Sequence, residues 1–110
     1  MEISQRQKQD IVILAIEGRL DTLSSNALKD TLESLINNNK HQILIDCSEL
    51  NFISSSGLRV LLSAGKQLNS LKGKIALYAM KDHIKEVFDI AGFTMLFAIF
   101  NNEEEAINHF

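Results

Sequence analysis

Three short runs in this chain are apolar at almost every position: residues 11–16 (Ile-Val-Ile-Leu-Ala-Ile), 43–45 (Ile-Leu-Ile) and 75–79 (Ile-Ala-Leu-Tyr-Ala). A strand with one wet face alternates apolar and polar side chains. A run without alternation, rich in β-branched residues, suits a strand covered on both faces. The segments between these runs carry a different period. Leu28, Leu32, Leu35 and Ile36 form one apolar stripe at helical spacing. Leu58, Leu61, Leu62, Gly65 and Leu68 form a second, and Ile84, Val87, Phe88 and Ala91 a third. Strands alternating with helices through one domain imply a mainly parallel sheet with right-handed crossovers.

Taken in order, residues 1–8 supply a first strand at an edge, and residues 10–18 the first covered strand. Gly18-Arg19-Leu20-Asp21-Thr22 reads as a turn, with Ser24 or Ser25 capping the next helix. Asn37-Asn38-Asn39 ends that helix, because asparagine tolerates the left-handed conformation. Residues 42–47 form a strand, and a helix then runs to about residue 71, with Gly73 placed to terminate it. Residues 74–80 form a strand, a short helix begins near Asp82 and ends at Gly92, and residues 95–100 form a last strand. Asn102 caps a final helix whose first turn holds Glu103, Glu104 and Glu105, where the helix dipole favours negative charge. The expected fold is therefore α/β, with a central mixed, mainly parallel sheet of four to five strands and about four helices. The order is β-β-α-β-α-β-α-β-α. Contacts in such folds gather at the carboxyl ends of the strands, so the loops at 18–22 and 51–57 are expected to share one edge.

Composition narrows the function. The 110 residues are 45% hydrophobic and 23% charged, which is globular, and the length suits one domain, residues 1–110. The net charge is −3 and no basic cluster exceeds two or three residues, so nucleic acid is not an expected partner. No apolar run approaches the roughly 20 residues that span a bilayer, and no apolar signal core opens the chain, so a cytoplasmic protein is expected. The lone Cys47 reads as a small buried hydrophobe. His41, His83 and His109 stand apart from any second ligand at metal spacing and read as solvated surface residues. No Gly-x-Ser-x-Gly elbow, Gly-x-Gly-x-x-Gly loop or phosphate-binding P-loop is present. Asp21 and Asp46 are isolated, and Asp46 is expected to bond free N–H groups at its strand end. No metal or other cofactor is expected, and the chain offers a hydroxyl without the base and stabiliser that an enzyme needs.

That hydroxyl lies in residues 51–62, Asn-Phe-Ile-Ser-Ser-Ser-Gly-Leu-Arg-Val-Leu-Leu, where three serines and a glycine separate a strand-like run from a helix-like one. A serine here is a natural N-cap, its oxygen accepting from a first-turn N–H. The neighbouring hydroxyls then sit where the dipole is positive and backbone donors are free, which favours an added negative charge. Two readings stand side by side: a plain helix cap, or a serine built to carry phosphate.

Four segments resemble one known family: Ile-Glu-Gly-Arg-Leu-Asp (16–21), Ile-Leu-Ile-Asp-Cys-Ser (43–48), Phe-Ile-Ser-Ser-Ser-Gly-Leu (52–58) and Val-Phe-Asp-Ile-Ala-Gly (87–92). In this order, spanning nearly the whole chain, they are similar to the STAS domain and to the small bacterial anti-sigma factor antagonists within it. The resemblance implies a protein-binding switch in signal transduction and transcription regulation. In that family the unphosphorylated antagonist sequesters an anti-sigma factor, often a serine kinase with a histidine-kinase-like ATPase fold. Phosphorylation releases the partner, and a serine phosphatase reverses it. The family motif runs Asp, phosphoacceptor, small residue, Gly, Leu. Mapped here, Ser55 is the acceptor, Ser56 the small residue, and Gly57 and Leu58 match directly. Ser54 stands where the family has Asp, which leaves Ser54 and Ser56 as competing acceptors. Partner binding is implied for Asp21, Thr22, Ser54, Ser55, Ser56, Gly57, Leu58 and Arg59, with Arg59 either a partner contact or a solvated surface charge. The Ser54 departure also motivates an alternative, a STAS adaptor subunit of a transporter or signalling complex that is never phosphorylated.

Overall fold

The computed structural model describes residues 1–110. Its strands are β1 (Glu2–Lys8), β2 (Ile11–Leu20), β3 (Gln42–Asp46), β4 (Leu50–Ile53), β5 (Lys74–Tyr78) and β6 (Ala98–Phe100). Its helices are α1 (Thr22–Asn37), α2 (Ser55–Ser70), α3 (Asp82–Ile90) and α4 (Glu103–His109). β1 pairs antiparallel with β2 at one edge, and β2, β3, β5 and β6 then follow side by side in parallel. All five expected strands are present, with four helices and a mixed, mainly parallel sheet. The absence of alternation in the central runs has the expected cause. Val12, Leu14 and Ile16 of β2 enter the larger core with α1, α2 and α3, while Ile11 and Ile13 enter a smaller one beneath Ala106 of α4.

The structure adds a sixth strand. β4 pairs in parallel with the far end of β2, Leu20 opposite Ile53. Its four residues show two buried ends around an exposed Asn51 and a half-buried Phe52, too short a pattern for a period to register. β2 correspondingly continues through Gly18 to Leu20 instead of turning there. Gly18 adopts φ +95 where the register shifts between it and Arg19, and this left-handed conformation suits glycine. The bulge lets one strand serve β3 along its first half and β4 along its second.

Several helix boundaries differ from expectation, each for a local reason. The N-cap of α1 is Asp21, not Ser24 or Ser25; Ser24 is the third helical residue and Ser25 is buried. After α2 the left-handed residue is Lys72, with φ +62, and not Gly73. Gly73 is needed for a different reason: a Cβ there would lie 2.3 Å from the His41 carbonyl oxygen. On α2 the fully buried positions are Gly57, Leu58, Leu61, Ala64 and Leu68, whereas Leu62 and Gly65 are only half buried. The last strand is shorter than 95–100, because Phe93–Met95 form a 3-10 turn. Phe93 and Phe97 pack edge-on against Phe88 of α3, with centroids 6.3 and 6.1 Å away, and this folds the chain back before β6 starts. Asn39 (φ +62), Gly92 (φ +77) and the Asn102 cap stand as expected. So does Asp46, whose Oδ1 accepts from Ser48 N–H at 2.9 Å. Cys47 is buried, which pushes its thiol well above the ordinary range. His83 and His109 are exposed, while His41 is half buried with Nε2 3.2 Å from the Ile36 carbonyl oxygen.

Candidate functional site

The site is assembled by the β2–β4 pairing. Ser54 N–H donates to the Leu20 carbonyl at 2.8 Å, so the residue after each strand is locked to its neighbour. Those residues begin the two helices: Asp21 caps α1 and Ser54 caps α2. Both loops thus share the carboxyl edge of the sheet, and the structure brings Asp21 and Thr22 to the same edge as Ser54, Ser55 and Ser56. The α1 cap is a reciprocal box. Asp21 Oδ1 accepts from Ser24 N–H at 2.9 Å, and Ser24 Oγ accepts from Asp21 N–H at 2.9 Å while donating to the Arg19 carbonyl at 2.7 Å. The Ser24 N–H, and then the Ser24 hydroxyl beside it, hold the Asp21 carboxyl below its usual value, so it is ionised at neutral pH.

The three serines are not equivalent. Ser54 is half buried; its Oγ accepts from Gly57 N–H at 3.1 Å and its carbonyl accepts from Leu58 N–H at 3.0 Å. Its hydroxyl is committed to the cap. Ser55 is exposed at the first helical position, and its hydroxyl makes no hydrogen bond within the chain. Ser56 is half buried. The N–H groups of the first two helical residues have no acceptor in their own helix, so the free Ser55 hydroxyl stands among open donors at a positive helix end. Gly57 and Leu58 are buried and hold the helix start against the sheet: a Cβ on Gly57 would lie 2.7 Å from Leu20 Cγ and 3.1 Å from Ile53 Cγ1. Arg59 is exposed at the mouth of a groove between α1 and α2, floored by Leu32, Ile36, Val60 and Ala64.

Two residues escaped sequence reasoning. Leu23 is 83% exposed one residue beyond Thr22. It falls off the stripe that continues from Leu28 back to the buried Ser25, and an apolar residue out of phase with its helix was the available signal. Phe52 lies under the Arg19 guanidinium, 4.1 Å from its ring centroid, a contact that exists only because β4 pairs with β2. No three His, Cys, Asp or Glu side chains converge to hold a metal, and no helix is long and apolar enough to cross a membrane. The arrangement provides an exposed serine hydroxyl without a hydrogen-bond partner, a fixed carboxylate, exposed apolar and cationic side chains, and open N–H donors. It can bind a protein surface and can accept an anion on Ser55.

Residues 2–106 match the STAS domain. The chain belongs to the STAS domain family. Within that family it is similar to the anti-sigma factor antagonists: BtrV of Bordetella bronchiseptica, which carries that name, is 30% identical over 106 residues, covering 96% of this chain and 91% of BtrV. Solved structures share the fold, two among them being informative. One is an anti-sigma factor antagonist of Thermotoga maritima, with TM-score 0.93 and 20% identity over 97% of this chain and 92% of that one. The other is the Bacillus cell fate determinant SpoIIAA in its phosphorylated form, with TM-score 0.78 and 21% identity over 98% of each. The STAS domain here is accordingly of the anti-sigma factor antagonist kind, a binding protein and not an enzyme.

Proposed function

We propose that this STAS domain is a phosphorylation-controlled antagonist that sequesters an anti-sigma factor while Ser55 is free and releases it once Ser55 carries phosphate. The observation that carries the reading is the division of labour among the serines: Ser54 is spent on the cap, and Ser55, next in the chain, is the exposed and unpartnered hydroxyl. The same geometry accounts for serine in the position where the family has Asp, because both residues are strong N-caps. The existence of a phosphorylated form of SpoIIAA, a protein of the same fold, supports the chemistry.

The physics of release follows from the site. A phosphate brings about −1.5 to −2 charges and three acceptor oxygens. At a helix N-terminus it meets waiting donors and leaves the fold intact. On a surface shared with the ionised Asp21, and against a partner shaped for a neutral hydroxyl, it adds repulsion and desolvation. Each 1.4 kcal/mol or so lost weakens binding about tenfold. The contact surface comprises Asp21, Thr22, Ser54, Ser55, Ser56 and Arg59, extended by Leu23, whereas Gly57 and Leu58 are buried beneath it and hold the helix start in place. The partner is an anti-sigma factor that doubles as a serine kinase with a histidine-kinase-like ATPase fold, and a serine phosphatase restores the binding form. Residues 1–110 act as one STAS domain, in the cytoplasm with these partners.

The test is affinity capture from native lysate with wild type and Ser55→Asp side by side, followed by calorimetry on the captured anti-sigma factor. Wild type should retain an ATPase-fold kinase, and Ser55→Asp should bind it more than about tenfold more weakly with unchanged far-UV circular dichroism. Equal retention of one non-kinase partner by both baits would overturn the switch and leave a constitutive adaptor.

A further inference from the structure

A second groove lies at the opposite end of the molecule from Ser55. It runs between the last two turns of α2 and the start of β5 and β6, with a volume of about 500 Å³. Leu62, Ile75, Met95, Leu96, Phe97 and Ala98 form its apolar part. Met95 is 92% exposed and Leu96 61% exposed, although apolar side chains of this size are normally covered in a domain with a full core. Lys66 and Lys74 stand at its rim. No Asp or Glu lines the groove, in a chain that carries 14 acidic against 11 basic residues. The two ion pairs of the molecule, Arg6–Glu103 and Lys8–Glu103, involve neither lysine, and Lys74 Nζ finds only the His109 carbonyl, at 3.2 Å.

We infer that this groove docks an acidic amphipathic helix of a partner protein, its apolar stripe on Leu62, Ile75, Met95 and Leu96 and its carboxylates on Lys66 and Lys74. Charge complementarity selects the occupant. An acidic flank is what two unpaired lysines around an apolar floor recognise, and a chain of net charge −3 has little reason to leave a carboxylate-free groove otherwise. A second copy of this chain docking by two-fold symmetry would set Lys66 and Lys74 against the same patch of cations. A strand partner fits poorly, because the open edge of β6 is three residues long. Lys66 lies eleven residues along α2 from Ser55, about 16 Å by the helix rise. Docking here is therefore compatible with either phosphorylation state, and the domain would hold one partner while its other end cycles.

The probe is a synthetic amphipathic peptide, Leu and Phe at helical spacing on one face and Glu elsewhere, titrated into 15N-labelled protein. A second peptide with every Glu replaced by Lys is the control. The acidic peptide should shift the amides of residues 62–75 and 95–98 with a Kd of about 1 mM or tighter. Lys66→Glu with Lys74→Glu should weaken it about tenfold or more, and Ser55→Asp should leave it unchanged. Shifts centred elsewhere, equal binding of the Lys peptide, or no shift at that concentration would overturn the inference. Concentration-dependent shifts of the same amides without peptide would also overturn it, in favour of self-association.

Discussion

Gly57 is the position where one added methyl group should tell most about how the site is held. The structure leaves no room for a Cβ there: it would lie 2.7 and 2.8 Å from Leu20 Cγ and Cδ2 and 3.1 Å from Ile53 Cγ1, where ordinary contact begins near 3.4 Å. Leu20 is fully buried and Ile53 nearly so, so neither can swing into solvent. Two effects oppose each other in Gly57→Ala. The exchange of Gly for Ala inside a helix gains about 0.5–1 kcal/mol, whereas overpacking a tight interior contact costs about 1–3 kcal/mol. The net expectation is a loss of about 1–2 kcal/mol, or a fall in melting temperature of about 4–8 °C for a domain of this size. Urea denaturation of wild type, Gly57→Ala, Leu20→Ala and the double variant closes a mutant cycle that isolates the contact. With Leu20 cut back the new methyl has space, so the second Gly57→Ala step should be neutral or stabilising, a coupling of about 1–2 kcal/mol. The reasoning fails if Gly57→Ala alone matches or exceeds wild-type stability, or if the cycle shows no coupling. Because the Leu20 carbonyl also holds Ser54 N–H, the same variant should disturb the amide shifts of Ser54 and Ser55.

The serine pair separates cap from acceptor. Ser54→Ala should cost about 1 kcal/mol in urea denaturation, since it removes the oxygen that accepts from Gly57 N–H, whereas Ser55→Ala should stay within about 0.5 kcal/mol. Asp21 gives a pH signature. Its folded carboxyl is held below the usual value, so its contribution is present above the unfolded value near 3.8 and is lost as pH falls through the lower folded value. Asp21→Asn keeps a capping oxygen without the charge. The wild-type advantage over it, measured by denaturant midpoint, should be present at pH 7 and shrink as the pH is lowered below about 4; an advantage that grows on acidification would contradict the assigned cap.

The α/β alternation, the three helices that face the main core, the Asn102 cap and the serine turn at a helix start were all legible in the chain, because each is written in local periodicity or in one residue's hydrogen-bonding habit. The failures are of another kind. β4 has four residues and no readable period, and it is a strand only because the end of β2 offers it a ladder. Ser24 or Ser25 was the expected cap; the cap is Asp21 because β2 extends to Leu20 and the helix starts directly after it. Lys72 takes the left-handed turn that Gly73 seemed made for, since Gly73 is held against the His41 carbonyl.

The site divides along the same line. The sequence by itself determined that a hydroxyl would stand at a positive helix end, since serines before an apolar helical stripe leave little alternative; the register that points to Ser55 is what the family resemblance implies. Only the tertiary structure decided which serine is spent on the cap and which is most exposed. Ser54 is withdrawn because Gly57, pressed against Leu20 and Ile53, turns its N–H onto the Ser54 oxygen. The sequence placed the loops of Asp21 and Ser55 on one edge, but only the parallel pairing of β2 with β4 locked them side by side and brought Leu23 onto that edge. Local propensity acts over a few residues, whereas these neighbours are about thirty residues apart in the chain and meet through a ladder neither segment encodes alone.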